Sequence, residues 1–311
     1  MIGETDGFTK WCERSVVSSV VQRHYIRFVS VLYCCPFECL NNLKSFMKDA
    51  EKKAEMPIGA NAVLDRRTVA NANANLLKLV KKGYAVLDVG CGTGAITKDI
   101  VDLVGREGSV KGIDTSVHLI ELAQCNFSHI KNLDFELADI NVYECDKKYD
   151  VVTSARVLQW LSNPREVAMK MKALLREGGC LTIVDYNHER IEFTPEVPAS
   201  MKKLYTSFLK WRQDSGMDNR IADNLENIFK AIGLKNITVE DQPEISVPEK
   251  DSFFDELSIW KKVAETRGNQ LVNDHYITED ERILAIEEYQ HWMEREAWYM
   301  KLYLRVVTGY K

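Results

Sequence analysis

The stretch Val86-Leu-Asp-Val-Gly-Cys-Gly-Thr-Gly-Ala95 constrains this chain more than any other. A short apolar run, Ala85 to Val89, has the composition of a buried strand. Three glycines follow at Gly90, Gly92 and Gly94, and from Ala95 to Val104 the residues Ile96, Ile100, Leu103 and Val104 recur at helical spacing. Strand, glycine turn and helix together open a nucleotide-binding βαβ unit. The glycines let the backbone turn sharply and approach a ligand where a Cβ would clash, and the helix N-terminus offers free N–H groups.

The glycines alone do not choose the ligand. Gly90, Gly92 and Ala95 fit the dinucleotide pattern G-x-G-x-x-A, with Asp114 about twenty residues on, where a ribose-binding acid belongs. Asp88 discriminates, because a carboxylate inside the strand repels a pyrophosphate and attracts the amino group of a sulfonium methionine. An acidic residue followed by G-x-G-x-G resembles the first motif of the class I S-adenosylmethionine-dependent methyltransferases. The resemblance runs from about Val86 to Asp185, with weaker echoes toward the C-terminus.

That resemblance implies an α/β fold: a doubly wound, mostly parallel seven-stranded sheet carrying helical cap insertions, its last strand antiparallel between the fifth and sixth. It implies S-adenosyl-L-methionine as cofactor, with Asp88 at the amino group, Asp114 on the ribose hydroxyls, Asp139 on the adenine amino group and the Ile140 N–H beside it. Gly90, Cys91, Gly92, Gly94, Thr115 and Arg156 complete the cofactor set. A nicotinamide-dependent oxidoreductase on a similar turn, and a methyltransferase-like protein that binds without turnover, are the alternatives. Asp88 and Asp139 together argue against the first.

Alternation along the chain fits a parallel sheet covered on both faces. Strands are expected at Ala85–Val89, Ser109–Asp114, Leu133–Ala138, Tyr149–Ser154 and Cys180–Asp185, with helices at 95–104, 116–127 and 164–176 between them. A helix over Asn61–Val80 precedes them. Beyond Asp185 the pattern predicts helices at Pro195–Gln213, Ile221–Ile232, Ser252–Thr266 and Thr278–Met300. The last opens on Thr278-x-x-Glu281, a capping box. Strands are predicted at Asn236–Glu240 and Leu302–Tyr310. This divides the chain into an N-terminal extension, 1–55, a cofactor-binding core, 56–240 plus 301–311, and two cap insertions, 186–215 and 241–300.

The extension is apolar but interrupted by Gln22, Arg23, His24 and Arg27, so no uninterrupted run reaches the roughly 18 residues of a spanning helix. Its Cys12, His24, Cys34, Cys35 and Cys39 match no common zinc spacing, and no metal is expected. An amphipathic membrane-surface helix with Arg14, Arg23 and Arg27 on its polar side is a second reading of this stretch; a third is that the functional protein begins near Met56 and the extension is dispensable. Eight cysteines without a C-x-x-C pair point to free thiols and a cytoplasmic protein.

The substrate is less legible. A net charge of −5 disfavours a broad phosphate-binding surface, so no nucleic-acid partner is expected. After the fourth strand stands Val157-Leu-Gln-Trp160, without the Asn/Asp-Pro-Pro-aromatic motif of enzymes that methylate adenine or glutamine nitrogen. This resembles small-molecule methyltransferases, including those that esterify carboxylates. It makes Gln159 and Trp160 pocket residues, joined by Tyr205 and Trp211 from the cap. His188 and Tyr186, at the end of the fifth strand, are the candidate acid or base groups. The expected partner is a small or lipid-like organic molecule; the oligomeric state is not readable.

Overall fold

The computed structural model describes Lys53 and residues 65–311. In chain order these residues form α1 (Val69–Ala72), α2 (Leu76–Leu79), β1 (Ala85–Val89), α3 (Ala95–Val104), β2 (Ser109–Asp114), α4 (Val117–Phe127), β3 (Leu133–Leu137) and β4 (Tyr149–Ala155). A 3-10 turn (Leu158–Trp160), α5 (Pro164–Ala173), β5 (Leu175–Thr194), α6 (Ala199–Asp214), α7 (Ile221–Ala231) and β6 (Lys235–Asp241) follow. The chain ends in β7 (Glu244–Ser246), α8 (Phe253–Asn273), α9 (Glu279–Arg295) and β8 (Tyr299–Tyr310).

The sheet runs β3-β2-β1-β4-β5-β8-β6, with β7 paired to β8 off this path. β1 to β5 are mutually parallel, and β8 is antiparallel to both β5 and β6. The expected insertion of the last strand between the fifth and sixth is therefore present. β7 is an eighth strand that the sequence reading missed; three residues are too few for alternation to register. The central parallel strands β1, β4 and β5 are buried on both faces, and Leu87, Val89, Val152, Leu181 and Ile183 pack there against α5 and α7.

Two expected elements are corrected. The helix predicted over 61–80 is, within the described residues, two single turns broken at Asn73–Asn75. Thr68 caps the first turn through a reciprocal bond with Asn71. The buried Asn73 and Asn75 amides then donate to Thr153 Oγ1 (3.2 Å) and Thr182 Oγ1 (2.6 Å) on the sheet. Those side-chain bonds hold the segment across β4 and β5 where a continuous helix would turn one asparagine away. The fifth strand, predicted over six residues, spans Leu175–Thr194. Its outer part pairs with the start of β8, Glu192 opposite Lys301 and Thr194 opposite Tyr299, past an irregularity between Asn187 and Glu192.

This β5–β8 arm carries the cap. α6, α8 and α9 bury Met201, Leu204, Phe208, Trp211, Leu257, Trp260, Tyr289 and Trp292 against it in one cluster with Val184, Tyr186 and Leu304. The Thr278 box forms as read: Thr278 Oγ1 accepts from Glu281 N at 3.2 Å, and Glu281 Oε2 accepts from Thr278 N at 2.9 Å. Tyr289 OH donates to Leu257 O at 3.0 Å, tying α9 to α8. Among the described residues no helix is long and apolar enough to cross a membrane. Apart from Lys53, the expectations for residues 1–55 lie outside the described residues.

Candidate active site

The glycine turn joins β1 to α3. Gly90, Gly92 and Gly94 have φ of +76°, +55° and +79°, a region costly for any residue with a Cβ. A Cβ on Gly94 would stand 2.5 Å from Phe135 Cζ, and one on Gly90 would overlap Val157. The N–H groups of Gly90 and Cys91 both donate to Ile113 O, at 2.8 and 3.1 Å, which fastens the turn to β2. At the end of β2, Asp114 accepts from Gly92 N through Oδ2 and from Ser116 N through Oδ1, both at 2.9 Å. Its two oxygens are thus held in a fixed plane, each with a lone pair left for a neighbouring hydroxyl.

Asp88 is buried in β1, and Thr97 Oγ1 from α3 donates to its Oδ2 at 2.6 Å. Burial pushes its carboxyl up to about 6; the Thr97 bond opposes the rise and the charge of Asp114 adds to it. Asp114 is raised too, by burial against the pull of its backbone donors. The same burial, with Asp114 and Asp88 beside it, holds the Cys91 thiol well above its ordinary range, so it stays protonated. After β3, Asp139 Oδ1 accepts from Asn141 N at 2.8 Å and Asn141 Nδ2 at 3.0 Å, closing an Asx turn over the buried Ile140. Thr115 is exposed, and Ser116 is the N-cap of α4.

β4 runs beside β1, with Ser154 opposite Val89 and Ser154 Oγ donating to Val89 O at 2.8 Å. The residues after β4 therefore emerge next to the glycine turn. Arg156 does so at φ +63°. Its Nε donates to Tyr186 OH (3.0 Å), Nη1 to Ala72 O (3.0 Å) and Nη2 to Glu244. Burial opposes its charge, but Glu244 and Tyr186 outweigh burial and its pKa is raised. Arg67, just before α1, is half-buried; burial, then the charge of Arg156, lower its pKa, opposed by Tyr186 and Glu244. The Arg156 side chain thus points to α1 and β7, not along the glycine turn as its place in the expected cofactor set requires. The reason is that Nε, Nη1 and Nη2 each find an acceptor there.

The two expected acid–base groups are brought together, their ring centroids 5.3 Å apart, but both are engaged. Tyr186 OH donates to Glu244 Oε2 at 3.1 Å, and burial and Glu244 raise its pKa. His188 meets Gln159 Oε1 through Nε2 at 2.6 Å and Tyr205 OH through Nδ1 at 3.2 Å; burial, then Arg212, hold it well below its ordinary value. It is a neutral imidazole: Gln159 Oε1 only accepts, so Nε2 carries the proton and donates to it, and the Nδ1 lone pair faces the Tyr205 oxygen, whose own proton goes to His188 O.

Gln159 is buried: its N donates to Asp185 Oδ2 (3.1 Å), its Nε2 to Arg156 O (3.1 Å), and its O accepts from Arg212 Nη2 (2.8 Å). Trp160 is half-buried, with the Arg212 and Arg267 guanidiniums 4.5 and 4.8 Å from its ring centroid. Tyr205 packs edge-on to Trp260 at 4.7 Å and donates to His188 O at 2.8 Å. Trp211 corrects the pocket reading: it is fully buried, and its Nε1 donates to Asp274 Oδ2 at 2.6 Å inside the cap.

Sequence reasoning passed over Arg67, Glu244, Thr97 and Arg212. Arg212 left a signal, since it falls four residues after Phe208 on the apolar stripe of α6, where a charge is out of place. It is fully buried, donating from Nε to Asn219 Oδ1 at 2.8 Å. Arg67 and Glu244 left none, because their partners are distant in the chain; Thr97 is a single hydroxyl on α3, and nothing in its spacing marks it as a partner of Asp88 nine residues earlier. Among the described residues no group of His, Cys, Asp and Glu could hold a metal ion.

A family model described as methyltransferase domain matches residues 80–235, half of the chain. The chain belongs to the class I S-adenosylmethionine-dependent methyltransferases. It is similar to the malonyl-[acyl-carrier protein] O-methyltransferase of Acetivibrio thermocellus, 32% identical over 147 residues that cover 46% of this chain and 51% of that protein. It is also similar to the demethylmenaquinone methyltransferase of Lactococcus lactis, 28% identical over 166 residues, 49% of this chain and 66% of that one. The chain spans about half the length of the first curated relatives it matches. The solved YcgJ protein of Bacillus subtilis shares the fold, with a TM-score of 0.50 at 15% identity, over 76% of this chain and 97% of that one.

The family's cofactor, S-adenosylmethionine, suits the residues present. A turn of three left-handed glycines leaves room for a close backbone approach, Asp114 presents a fixed pair of acceptors, and Asp88 offers a buried carboxylate for a cation.

Proposed function

We propose that this chain transfers the methyl group of S-adenosylmethionine to a small or lipid-like organic molecule received under the α6, α8 and α9 cap. The observation that carries this reading is the cap's position. It packs on the β5–β8 arm and sets Phe208 and Trp260 at 6.3 and 6.4 Å from His188, on the strand that continues from the β4–β5 edge beside the glycine turn. Apolar walls with a few convergent polar groups suit a small molecule. When bound, the cofactor supplies an electrophilic methyl. The protein's part is placement and exclusion of water, which Asp88, Asp114 and the cap perform.

The acidic chain and the absence of a nucleobase motif after β4 support the choice against nucleic acid. The cytoplasmic assignment rests on the thiols: Cys91, Cys125, Cys145 and Cys180 are free. The test is methyl transfer from labelled S-adenosylmethionine to total tRNA, rRNA and DNA beside a panel of small acids and lipids. Label in the small-molecule arm, lost with Asp88→Ala, is expected. Stoichiometric labelling of a nucleic acid, lost in the same variant, overturns the reading.

A further inference from the structure

Three elements meet at the end of β5 with one proton too few. Arg156 O only accepts, so the Gln159 amide turns its Nε2 there, at 3.1 Å, and its Oε1 to His188 Nε2, at 2.6 Å. His188 therefore carries its ring proton on Nε2 and a bare lone pair on Nδ1. Tyr205 OH, from α6, lies 2.8 Å from His188 O and 3.2 Å from Nδ1. Both of these accept, and the hydroxyl has a single proton for the two. While that proton goes to His188 O, two lone pairs face each other at 3.2 Å; turned to Nδ1, it leaves the carbonyl of a buried residue without it. A hydrogen-bond donor on a bound molecule resolves the conflict. His188 is buried and Tyr205 half-buried, so the hydroxyl is the member of the pair that a bound molecule reaches. Burial keeps that hydroxyl protonated, and burial with Arg212 keeps the imidazole neutral.

The acceptor's chemistry follows. A carboxylate has no proton to give and adds a further lone pair. An ammonium brings a positive charge close to the buried Arg212 guanidinium, which stacks 5.4 Å from the Phe208 ring centroid. An O–H group supplies the missing proton without charge. Its transfer to Tyr205 is nearly balanced when the acceptor is about as acidic as tyrosine itself, with a pKa of roughly 10, as a phenol is. The rings of Phe208 and Trp260, 6.3 and 6.4 Å from His188, offer a flat aromatic body its walls.

We propose that the methyl acceptor is a phenol whose proton leaves through the Tyr205 hydroxyl to Nδ1 of His188, with Gln159 as the positioning residue that keeps Nδ1 bare; this rests on the methyl-transfer reading above. The phenol oxygen uses a lone pair to form the new O–CH3 bond, and the methyl–sulfur bond breaks with its pair left on sulfur. The phenol proton passes to the Tyr205 oxygen as the Tyr205 proton passes to Nδ1. The products are an aryl methyl ether, S-adenosylhomocysteine and an imidazolium. The positive charge lost from sulfur reappears on the ring, so the charge of the site is unchanged, and Arg212 favours the later release of that proton to solvent.

Three arms test this with the full chain. In the first, methyl-labelled S-adenosylmethionine is supplied with a metabolite extract. The label is expected to survive mild alkali and to leave as methyl iodide in hot hydriodic acid, as an ether methyl does. Alkali-labile label, or label that resists the acid, overturns the phenol and leaves methyl transfer standing; no label from a chain that binds S-adenosylhomocysteine overturns both. In the second, calorimetry at saturating S-adenosylhomocysteine compares 4-ethylphenol with ethylbenzene and 2-naphthol with naphthalene. At least one phenol is expected to bind about tenfold tighter than its hydrocarbon. Tyr205→Phe, which keeps the ring against Trp260, is expected to erase that preference with S-adenosylhomocysteine affinity retained. No preference in either pair, or one that survives Tyr205→Phe, refutes the contact. In the third, nitrogen NMR of ring-labelled histidine, with the His188 signals identified by their loss in His188→Gln, is expected to show a protonated Nε2 and a bare Nδ1, and a mixture of tautomers in Gln159→Leu. A protonated Nδ1 in the wild-type chain, or an unchanged tautomer in Gln159→Leu, overturns the assigned roles.

Discussion

If Asp88 holds the cofactor's amino group, cofactor binding must release a proton in mildly acidic solution. Its carboxyl is buried with Thr97 as hydrogen-bond partner and titrates at about 6. An ammonium pairs only with the ionised form. With a pKa near 6, about nine molecules in ten are ionised at pH 7 and about one in ten at pH 5, so affinity should fall about tenfold between them, about 1.3 kcal/mol. The sign for the empty protein is the reverse. Because the folded pKa lies above the unfolded value, this group stabilises the fold below roughly pH 4 and loses that contribution as pH rises through 6, about 3 kcal/mol in all. Bound cation restores it. Calorimetry with S-adenosylhomocysteine across this range, in two buffers of different ionisation enthalpy, reads both affinity and proton count. Asp88→Asn should bind at least tenfold more weakly at pH 7 and lose the slope. A flat wild-type profile refutes the argument, and an unchanged slope in Asp88→Asn moves the proton to Asp114, whose carboxyl is also raised.

Gly94→Ala should lower the melting temperature and weaken cofactor binding, because it combines a left-handed φ of +79° with a Cβ 2.5 Å from Phe135 Cζ; wild-type behaviour in both measurements would contradict the turn geometry. Asn75→Ala strands the Thr182 hydroxyl on one side and should cost about 1–3 kcal/mol in urea unfolding, with no loss expected if that bond is absent. Arg212→Ala leaves Gln159 O and Asn219 Oδ1 without their donor and should destabilise by about 2–4 kcal/mol; a neutral effect would show that the guanidinium's burial costs as much as its bonds return. A chain beginning at Met56 should bind S-adenosylmethionine with similar affinity, since Lys53 reaches Ser215 Oγ and Asp274 on the cap; a large loss would place the extension in the site.

The glycine turn and the acids that flank it were legible because their determinants are local. Gly90 to Gly94 are contiguous, Asp88 sits two residues upstream, and Asp114 ends the next strand, so spacing and residue type specify the geometry with little tertiary information. The parallel strands were legible for a similar reason: burial on both faces writes them as apolar runs such as Val86-Leu87 and Val151-Val152. The failures fall where polar side chains do structural work. Asn73 and Asn75 read as ordinary helix positions, and only Thr153 and Thr182 beneath them explain the break. The outer part of β5 was invisible because Glu189, Arg190 and Glu192 are polar and exposed; pairing with β8 makes the arm, and that partner lies more than a hundred residues away.

The substrate half was legible only as a location. The sequence places Tyr186 and His188 at a strand end facing a cleft, and from residue type alone each could be an acid, a base or a bystander. What decides is who else arrives. Glu244 comes from a three-residue strand and Arg67 from the residues before α1, while Gln159 and Tyr205 close on the imidazole. Glu244 takes the Tyr186 proton, and Gln159 takes the one proton of the neutral imidazole. Residue type offers two interchangeable candidates, and the partners separate them: Tyr186 is a donor already committed to a carboxylate, whereas His188 is a neutral ring whose tautomer Gln159 sets.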